Sequence, residues 1–274
     1  MVVFPNAKIN IGLNILARRS DGYHTLSSIM VPIGWQDILE ITPSKSGATT
    51  LNTSGIDVDC PAESNLVMKA YNALNARRKL PPVDIYLRKN IPNGAGLGGG
   101  SADASFTLTT LNQMFNLEFS NDELAKIASD IGADCPFFIF NKPMHAEGIG
   151  TELTEIEIPQ LKGTSIVVIK PDIHISTAEA YAGVTPYIPE NKLDELIKLP
   201  ISSWRNNIVN DFEKSLGYKF PEITKIKEKL YDQGAIYSSL SGSGSAVYGI
   251  FDNDKMAEMA KINLCNYTTF VCRL

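Results

Sequence analysis

The sequence is poor in the residues that metals and disulfides require. Only four cysteines (Cys60, Cys135, Cys265, Cys272) and three histidines occur in 274 residues. No pair of cysteines stands in a CxxC or other metal-ligand spacing, so neither a disulfide framework nor a zinc site is expected, and reduced thiols in a cytoplasmic protein fit best. Long apolar runs are missing too: no window approaches the ~20 consecutive apolar residues of a membrane helix. The opening MVVFPNAKINIGLNIL lacks the basic leader and apolar stretch of a signal peptide, which leads us to expect an unprocessed cytosolic chain. Positive charge is scarce as well, with 25 Lys and Arg against 30 Asp and Glu, a net −5. That argues against a nucleic-acid binder, which normally carries a basic face. The two basic clusters, Arg18-Arg19 and Arg77-Arg78-Lys79, read as a solvated turn and a helix end. We see no internal repeat, and nothing in the chain speaks to oligomeric state.

What is present is one strongly biased stretch, IPNGAGLGGGSADAS from Ile91 to Ser105, in which five of the 20 glycines fall between positions 94 and 100. The strand-like run Val83 to Lys89 leads into it, and a helical pattern from Ala102 to about Phe115 leads out. Ser101 stands where an N-cap belongs, and Leu108, Leu111 and Phe115 supply an apolar face at helical spacing. A glycine-rich turn between strand and helix lets backbone N–H groups close on an anion. The helix N-terminus adds roughly half a positive charge at the same point. A phosphate site is expected here.

Around this stretch the chain alternates strands and helices. Residues 7 to 15 place Ala7, Ile9, Ile11, Leu13 and Ile15 on one face and Lys8, Asn10, Gly12 and Asn14 on the other, the pattern of a half-buried strand with Lys8 and Asn10 off the core. Asp21-Gly22 is a hairpin signal, with Tyr23 and His24 directly after it. Ser64 is placed to cap a helix over about 65–78, and Ser120 to Glu123 form a capping box for a second helix with Gly132 at its C-cap. Asp134 follows among Ala133, Cys135, Phe137 and Phe138. A lone Asp past a helix is ordinarily a turn residue, but in apolar surroundings near a phosphate it would serve as a general base. A soft boundary falls near 160, giving parts 1–160 and 161–274. Helices are expected in the second part at about 177–181, 191–199, 203–216 and 221–232, and the fold class is α+β in two parts.

Gly94, Gly96 and Gly99 satisfy GxGxxG, yet Pro92 and Asn93 separate the strand from the first glycine, and no strand ending in an acidic residue follows about 20 residues later. A Walker A loop and the protein-kinase motifs are absent.

Taken in order, AKIN (7–10), SDGYH (20–24), PNGAGLGGGSADAS (92–105), GADCPFF (132–138) and SLSGSGSAVYGIF (239–251) resemble the GHMP small-molecule kinases over nearly the whole chain. The resemblance implies a two-domain α+β fold, an N-terminal domain of the ribosomal-protein-S5 type beside a ferredoxin-like C-terminal domain, and ATP with Mg²⁺ as cofactors. It implies that Pro92, Asn93, Gly94, Ala95, Gly96, Leu97, Gly98, Gly99, Gly100, Ser101 and Ala102 wrap the ATP phosphates, with Asn65 also at the nucleotide and Ser101 near magnesium. Asp134 would take the proton of the acceptor hydroxyl, and Lys8 would offset charge on the moving phosphoryl group. Asn10, Tyr23, His24, Thr177, Tyr181, Gly242 and Ser243 would face the acceptor. The DGYH and GGGSADA forms point within the family to a small-molecule acceptor of the cytidine-diphosphate-linked methylerythritol type. Two other readings are a GHMP kinase for another small alcohol and a nucleotide-binding regulator without activity.

Overall fold

In the computed structural model, which describes residues 1–58 and 60–274, the elements in chain order are β1 (Val2–Val3), β2 (Asn6–Arg18), β3 (His24–Gln36), β4 (Ile38–Pro43), β5 (Thr50–Gly55), α1 (Leu66–Arg77), β6 (Val83–Lys89), α2 (Gly99–Met114), α3 (Asn121–Ser129) and α4 (Cys135–Phe140). There follow β7 (Met144–Glu147), β8 (Glu152–Glu155), β9 (Ser165–Lys170), α5 (Thr177–Ala182), α6 (Leu193–Leu196), α7 (Ile201–Asn207), α8 (Phe212–Lys219), α9 (Pro221–Asp232), β10 (Tyr237–Leu240), β11 (Val247–Phe251), α10 (Asp254–Asn263) and β12 (Thr268–Arg273). They fall into two compact units that are not consecutive in sequence. Met1–Ala7, Trp35–Asn93 and Gly98–Lys142 form the first, and Lys8–Gly34, Gly94–Leu97 and Pro143–Leu274 the second. The sequence boundary near 160 lies inside the second unit, whose last segment begins at Pro143 and which also takes in most of β2 and β3 and the middle of the glycine loop.

The first unit holds a four-stranded sheet of order β1-β4-β6-β5, in which β4 and β6 are antiparallel and β5 runs parallel to β6. A parallel pair needs a crossover, and α1 supplies it. Val67, Ala70 and Leu74 of α1 pack with Ala104, Leu108 and Leu111 of α2 over Leu39, Ile41, Val83, Ile85 and Leu87 of the sheet. Burying each larger aliphatic of this kind is worth roughly 1.5–3 kcal/mol. Ser120 does cap α3 in a complete capping box with Glu123.

Three expected caps shift. The cap of α1 is Asn65, whose Oδ1 accepts from the Val67 N–H at 2.9 Å, because Ser64 is taken up in a preceding 3-10 turn. Helix α2 begins at Gly99 behind a left-handed Gly98, so Ser101 lies inside the first turn instead of capping it. The C-cap of α3 is Asp130, with Gly132 two residues beyond and its N–H bonded to the Ala128 carbonyl.

The second unit contains the sheets β2-β3-β7-β8 and β10-β11-β9-β12, the latter antiparallel throughout. Its core includes Leu13, Ile15, Val167, Ile169, Phe212, Ile226, Leu240 and Phe251. Strand β2 departs from the half-buried expectation, since Lys8 is only 3 % exposed and Asn10 1 %. The second face of β2 is covered by later parts of the chain: a Cβ on Gly12 would meet Leu193 at 2.7 Å and Ile208 at 2.8 Å. The helix expected at 191–199 is shortened to α6, and the one expected at 203–216 is split into α7 and α8. Between α7 and α8 the chain extends to pair with β2, Leu13 N–H donating to the Val209 carbonyl and Asp211 N–H to that of Leu13.

Candidate active site

The glycine loop passes from the first unit into the second and back. Gly94, Gly96 and Gly98 all have positive φ, a conformation open to glycine at little cost. In the second unit, residues 95–97 are held by backbone on both sides. Lys8 N–H donates to the Leu97 carbonyl at 2.9 Å, Ala246 N–H to that of Ala95 at 3.1 Å, and Ser241 Oγ to that of Gly96 at 2.9 Å. A Cβ on Gly96 would lie 2.0 Å from the Ser241 carbonyl oxygen, so close approach itself requires glycine. The carbonyls are thus consumed by neighbouring backbone and side chain, which fixes the path of residues 95–97.

Lys8 Nζ donates to Asn10 Oδ1 at 2.5 Å, Asn10 Nδ2 to Ser28 Oγ at 2.8 Å, and Ser28 Oγ to the Gly12 carbonyl at 2.7 Å. Tyr248 Oη donates to the Asn10 carbonyl at 2.9 Å. A lysine buried to this degree is costly unless its charge has polar partners, and this relay gives it a fixed direction. The Ser241 turn adjoins the relay: Gly242 sits at φ +54°, and a Cβ added there would lie 3.3 Å from Asn10 Oδ1. Asn210 Nδ2 fixes that turn by donating to the Leu240 and Gly242 carbonyls at 2.9 and 2.8 Å. Ser243 is half-buried on the same turn.

The expected acceptor residues separate into two kinds. His24 and Tyr181 are brought together, their rings stacked at 4.7 Å with 26° between planes, and Tyr181 meets Phe212 edge-on at 4.9 Å. Tyr23 is 62 % exposed, and Thr177 is exposed at the start of α5.

On the first unit, Asp134 is half-buried at the residue before α4, with Pro136 at the start of that helix. Ser101 of α2 acts on the Cys135 thiol of this segment, and Ser105 Oγ donates to the Cys135 carbonyl at 2.7 Å. Burial pushes the Cys135 thiol up to about 11, with Ser101 opposing and the Asp134 charge adding, so this cysteine stays a thiol at neutral pH. Asn65, Asn93 and Gly100 line one cavity of about 200 Å³ together with Ser64, Lys89 and Asp103. A larger cavity in the second unit, about 1000 Å³ and bordered by Tyr187, Asp211, Glu213 and Lys227, takes in none of the residues expected from sequence. Its acidic groups already serve the fold, Asp211 accepting from the Ile15 N–H and Glu213 from the Leu240 N–H.

Sequence reasoning missed a second set in the first unit: Asp37, Lys89 and Asp103, a buried ion cluster. The available signal was a lysine ending the β6 alternation at a position that the pattern buries.

The second unit thus holds a tightly held glycine-loop segment and a buried, directed lysine, the first a half-buried carboxylate at the start of α4, in a two-unit α+β chain. Residues 65–142 match the GHMP kinases N terminal domain and residues 186–266 the GHMP kinases C terminal. The chain belongs to the GHMP kinase family. It is 48% identical over 262 residues to 4-diphosphocytidyl-2-C-methyl-D-erythritol kinase of Bacteroides fragilis, covering 94% of this chain and 95% of that protein. With the enzyme of the same name from Parabacteroides distasonis it shares 50% over 252 residues, 92% of each chain. The crystal structure of a 4-(cytidine 5'-diphospho)-2C-methyl-D-erythritol kinase superposes with a TM-score of 0.85 at 29% identity, covering 99% of this chain and 98% of that one. The expected two-domain GHMP kinase fold is thereby borne out. Among the described residues no helix is long and apolar enough to cross a membrane.

Proposed function

We propose that the chain transfers the γ-phosphoryl group of ATP to the 2-hydroxyl of 4-diphosphocytidyl-2-C-methyl-D-erythritol, a step toward isoprenoid precursors. The observation that carries this reading is similarity over more than nine-tenths of the chain to proteins of that name, in a chain that keeps Lys8, Asp134 and a tightly held glycine loop. Phosphoryl transfer asks chiefly for positioning and charge stabilisation. In the proposed scheme, N–H groups of residues 92–102 hold the ATP phosphates, and Asn65 borders the nucleotide. Asp134 accepts the hydroxyl proton, worth ~10²- to 10⁴-fold in rate, while Lys8 neutralises charge developing on the transferred group. His24 and Tyr181 present flat rings suited to a cytosine, with Tyr23, Thr177, Asn10, Gly242 and Ser243 as further acceptor contacts.

Among the described residues no three His, Cys, Asp or Glu side chains gather into a metal cage. The Ser101 hydroxyl, in the first turn of α2, fits a magnesium ion held mainly by nucleotide phosphates and water. Such an ion would supply charge neutralisation at the phosphates. The proposed setting is cytoplasmic.

An ADP-release assay tests the function. Turnover with ATP and the cytidylylated acceptor, and none with mevalonate, homoserine or galactose, is the expected result. Release stimulated only by one of the latter three would overturn the proposal.

A further inference from the structure

We infer that Asp37, Lys89 and Asp103 form a buried positioning brace that sets the path of the glycine loop. This rests on the proposal that the loop receives nucleotide phosphates. Lys89, the last residue of β6, is 2 % exposed, and its Nζ donates to Asp37 Oδ2 and, at 2.6 Å, to Asp103 Oδ2. Asp37 sits between β3 and β4, and its other oxygen accepts the backbone N–H groups of Asn90 at 2.5 Å and Ile91 at 2.9 Å. Those residues lead directly into the loop. Asp103 belongs to the helix that leaves it. One carboxylate thus grips the chain as it enters the loop, the other lies on the helix as it leaves, and Lys89 ties the two. The strand end is fixed from outside as well, since the Ile56 N–H donates to the Lys89 carbonyl at 2.9 Å.

A hydrophobic substitute would fill this space. Buried ion pairs often contribute little stability over well-packed apolar groups, because desolvation offsets the Coulombic gain. What apolar groups cannot supply is direction: Asp37 makes three hydrogen bonds of defined geometry, two of them to loop backbone. The position matters because Lys89 and Asp103 also border the cavity lined by Asn65, Asn93 and Gly100. Asp103 Oδ1 is buried without a hydrogen-bond partner among the described residues. Burial, reinforced by the charge of Asp37 and opposed by Lys89, raises the Asp103 carboxyl to about 8. At neutral pH the brace is therefore close to neutral, one cation with one anion, and places little net charge beside the phosphates.

The test measures ATP binding by calorimetry and steady-state kinetics on the full chain with Asp37→Asn, Asp103→Ala and Asp103→Asn. In Asp37→Asn one acceptor oxygen is replaced by an NH₂ that faces either Lys89 or the loop N–H groups. The ATP Kd and KM should rise at least about tenfold while the acceptor KM stays within about twofold. Asp103→Ala should raise the ATP KM about fivefold, and Asp103→Asn, which keeps an acceptor for Lys89, should restore it. Should Asp37→Asn fail to fold, the Asp103 pair decides alone. Variants that fold and bind ATP within twofold of the wild type overturn the brace. So does a fall in ATP affinity, acceptor affinity and melting temperature together. If the wild type itself bound no ATP, the nucleotide reading beneath the inference would fall.

Discussion

Substituting Gly96 by alanine probes the loop with a single methyl group. The residue sits at φ +74°, where an L side chain costs roughly 1–2 kcal/mol, and its Cβ would lie 2.0 Å from the Ser241 carbonyl oxygen. Restoring an ordinary contact of 3.4 Å requires the two backbones to part by about 1.4 Å. Ser241 is poorly able to yield, since its N–H donates to the Ala246 carbonyl and its own carbonyl accepts from Gly244 N–H, both at 2.9 Å. The loop must move, and the Ser241 Oγ to Gly96 carbonyl bond is lost with it. A displacement of about 1 Å in a group that positions phosphates is worth on the order of 10²-fold in rate. We therefore expect kcat/KM for ATP to fall about 100-fold in Gly96→Ala by ADP-release kinetics. Gly47→Ala is the control: its φ is +80° but nothing lies within 4 Å of the added methyl, so only backbone strain remains and activity should be unchanged. Equal activity of Gly96→Ala and wild type would refute the close-approach reasoning.

Other consequences can be measured alongside. Asp134→Asn should abolish turnover while calorimetric ATP binding persists, and surviving turnover would remove Asp134 as the base. Tyr181→Ala removes the ring stacked on His24, so the acceptor KM should rise about 3- to 10-fold with the ATP KM unchanged. The raised carboxyl of Asp103 gives stability a pH slope. Below the ordinary value of 3.8 both folded and unfolded states hold the proton, and no penalty arises. Between there and about 8 the folded protein keeps a proton that the unfolded chain has released, so stability falls as pH rises. Urea midpoints should show Asp103→Asn losing this decline relative to wild type between pH 5 and 8 (roughly the span of that titration); parallel curves would contradict the raised value.

Local signals in the sequence transfer well where neighbours alone decide the outcome. The Ser120 capping box, the start of α9 at Pro221 and the alternation of β6 all lie where their residues place them. Caps shift where two nearby residues can each serve: Asn65 takes the role read for Ser64, and the left-handed Gly98 displaces Ser101, because glycine reaches that conformation without a Cβ penalty. Strand β2 differs from its sequence pattern on one face. Lys8, Asn10 and Gly12 have the polarity and size of a solvated face, and what buries them comes from Leu193, Ile208 and Ser241, roughly 180 to 230 residues later. The Asp37–Lys89–Asp103 cluster is hidden for a like reason, its pairs lying 52 and 14 positions apart with no periodicity to link them. Of the proposed site, the loop is plain from composition, whereas the roles of Lys8 and Asp134 come from resemblance.

The sorting of β2, β3 and residues 94–97 into the later unit bears on how this protein can be engineered. Cutting the chain at 160 would remove from the second unit the whole β2-β3-β7-β8 sheet and the segment that its Ser241 turn clasps. Halves exchanged between relatives at that point would each arrive missing part of a core. Recombination in this fold has to follow the contacts, exchanging β2, β3 and residues 94–97 together with everything from 143 onward, so that two cuts within the glycine loop itself become the natural crossover points.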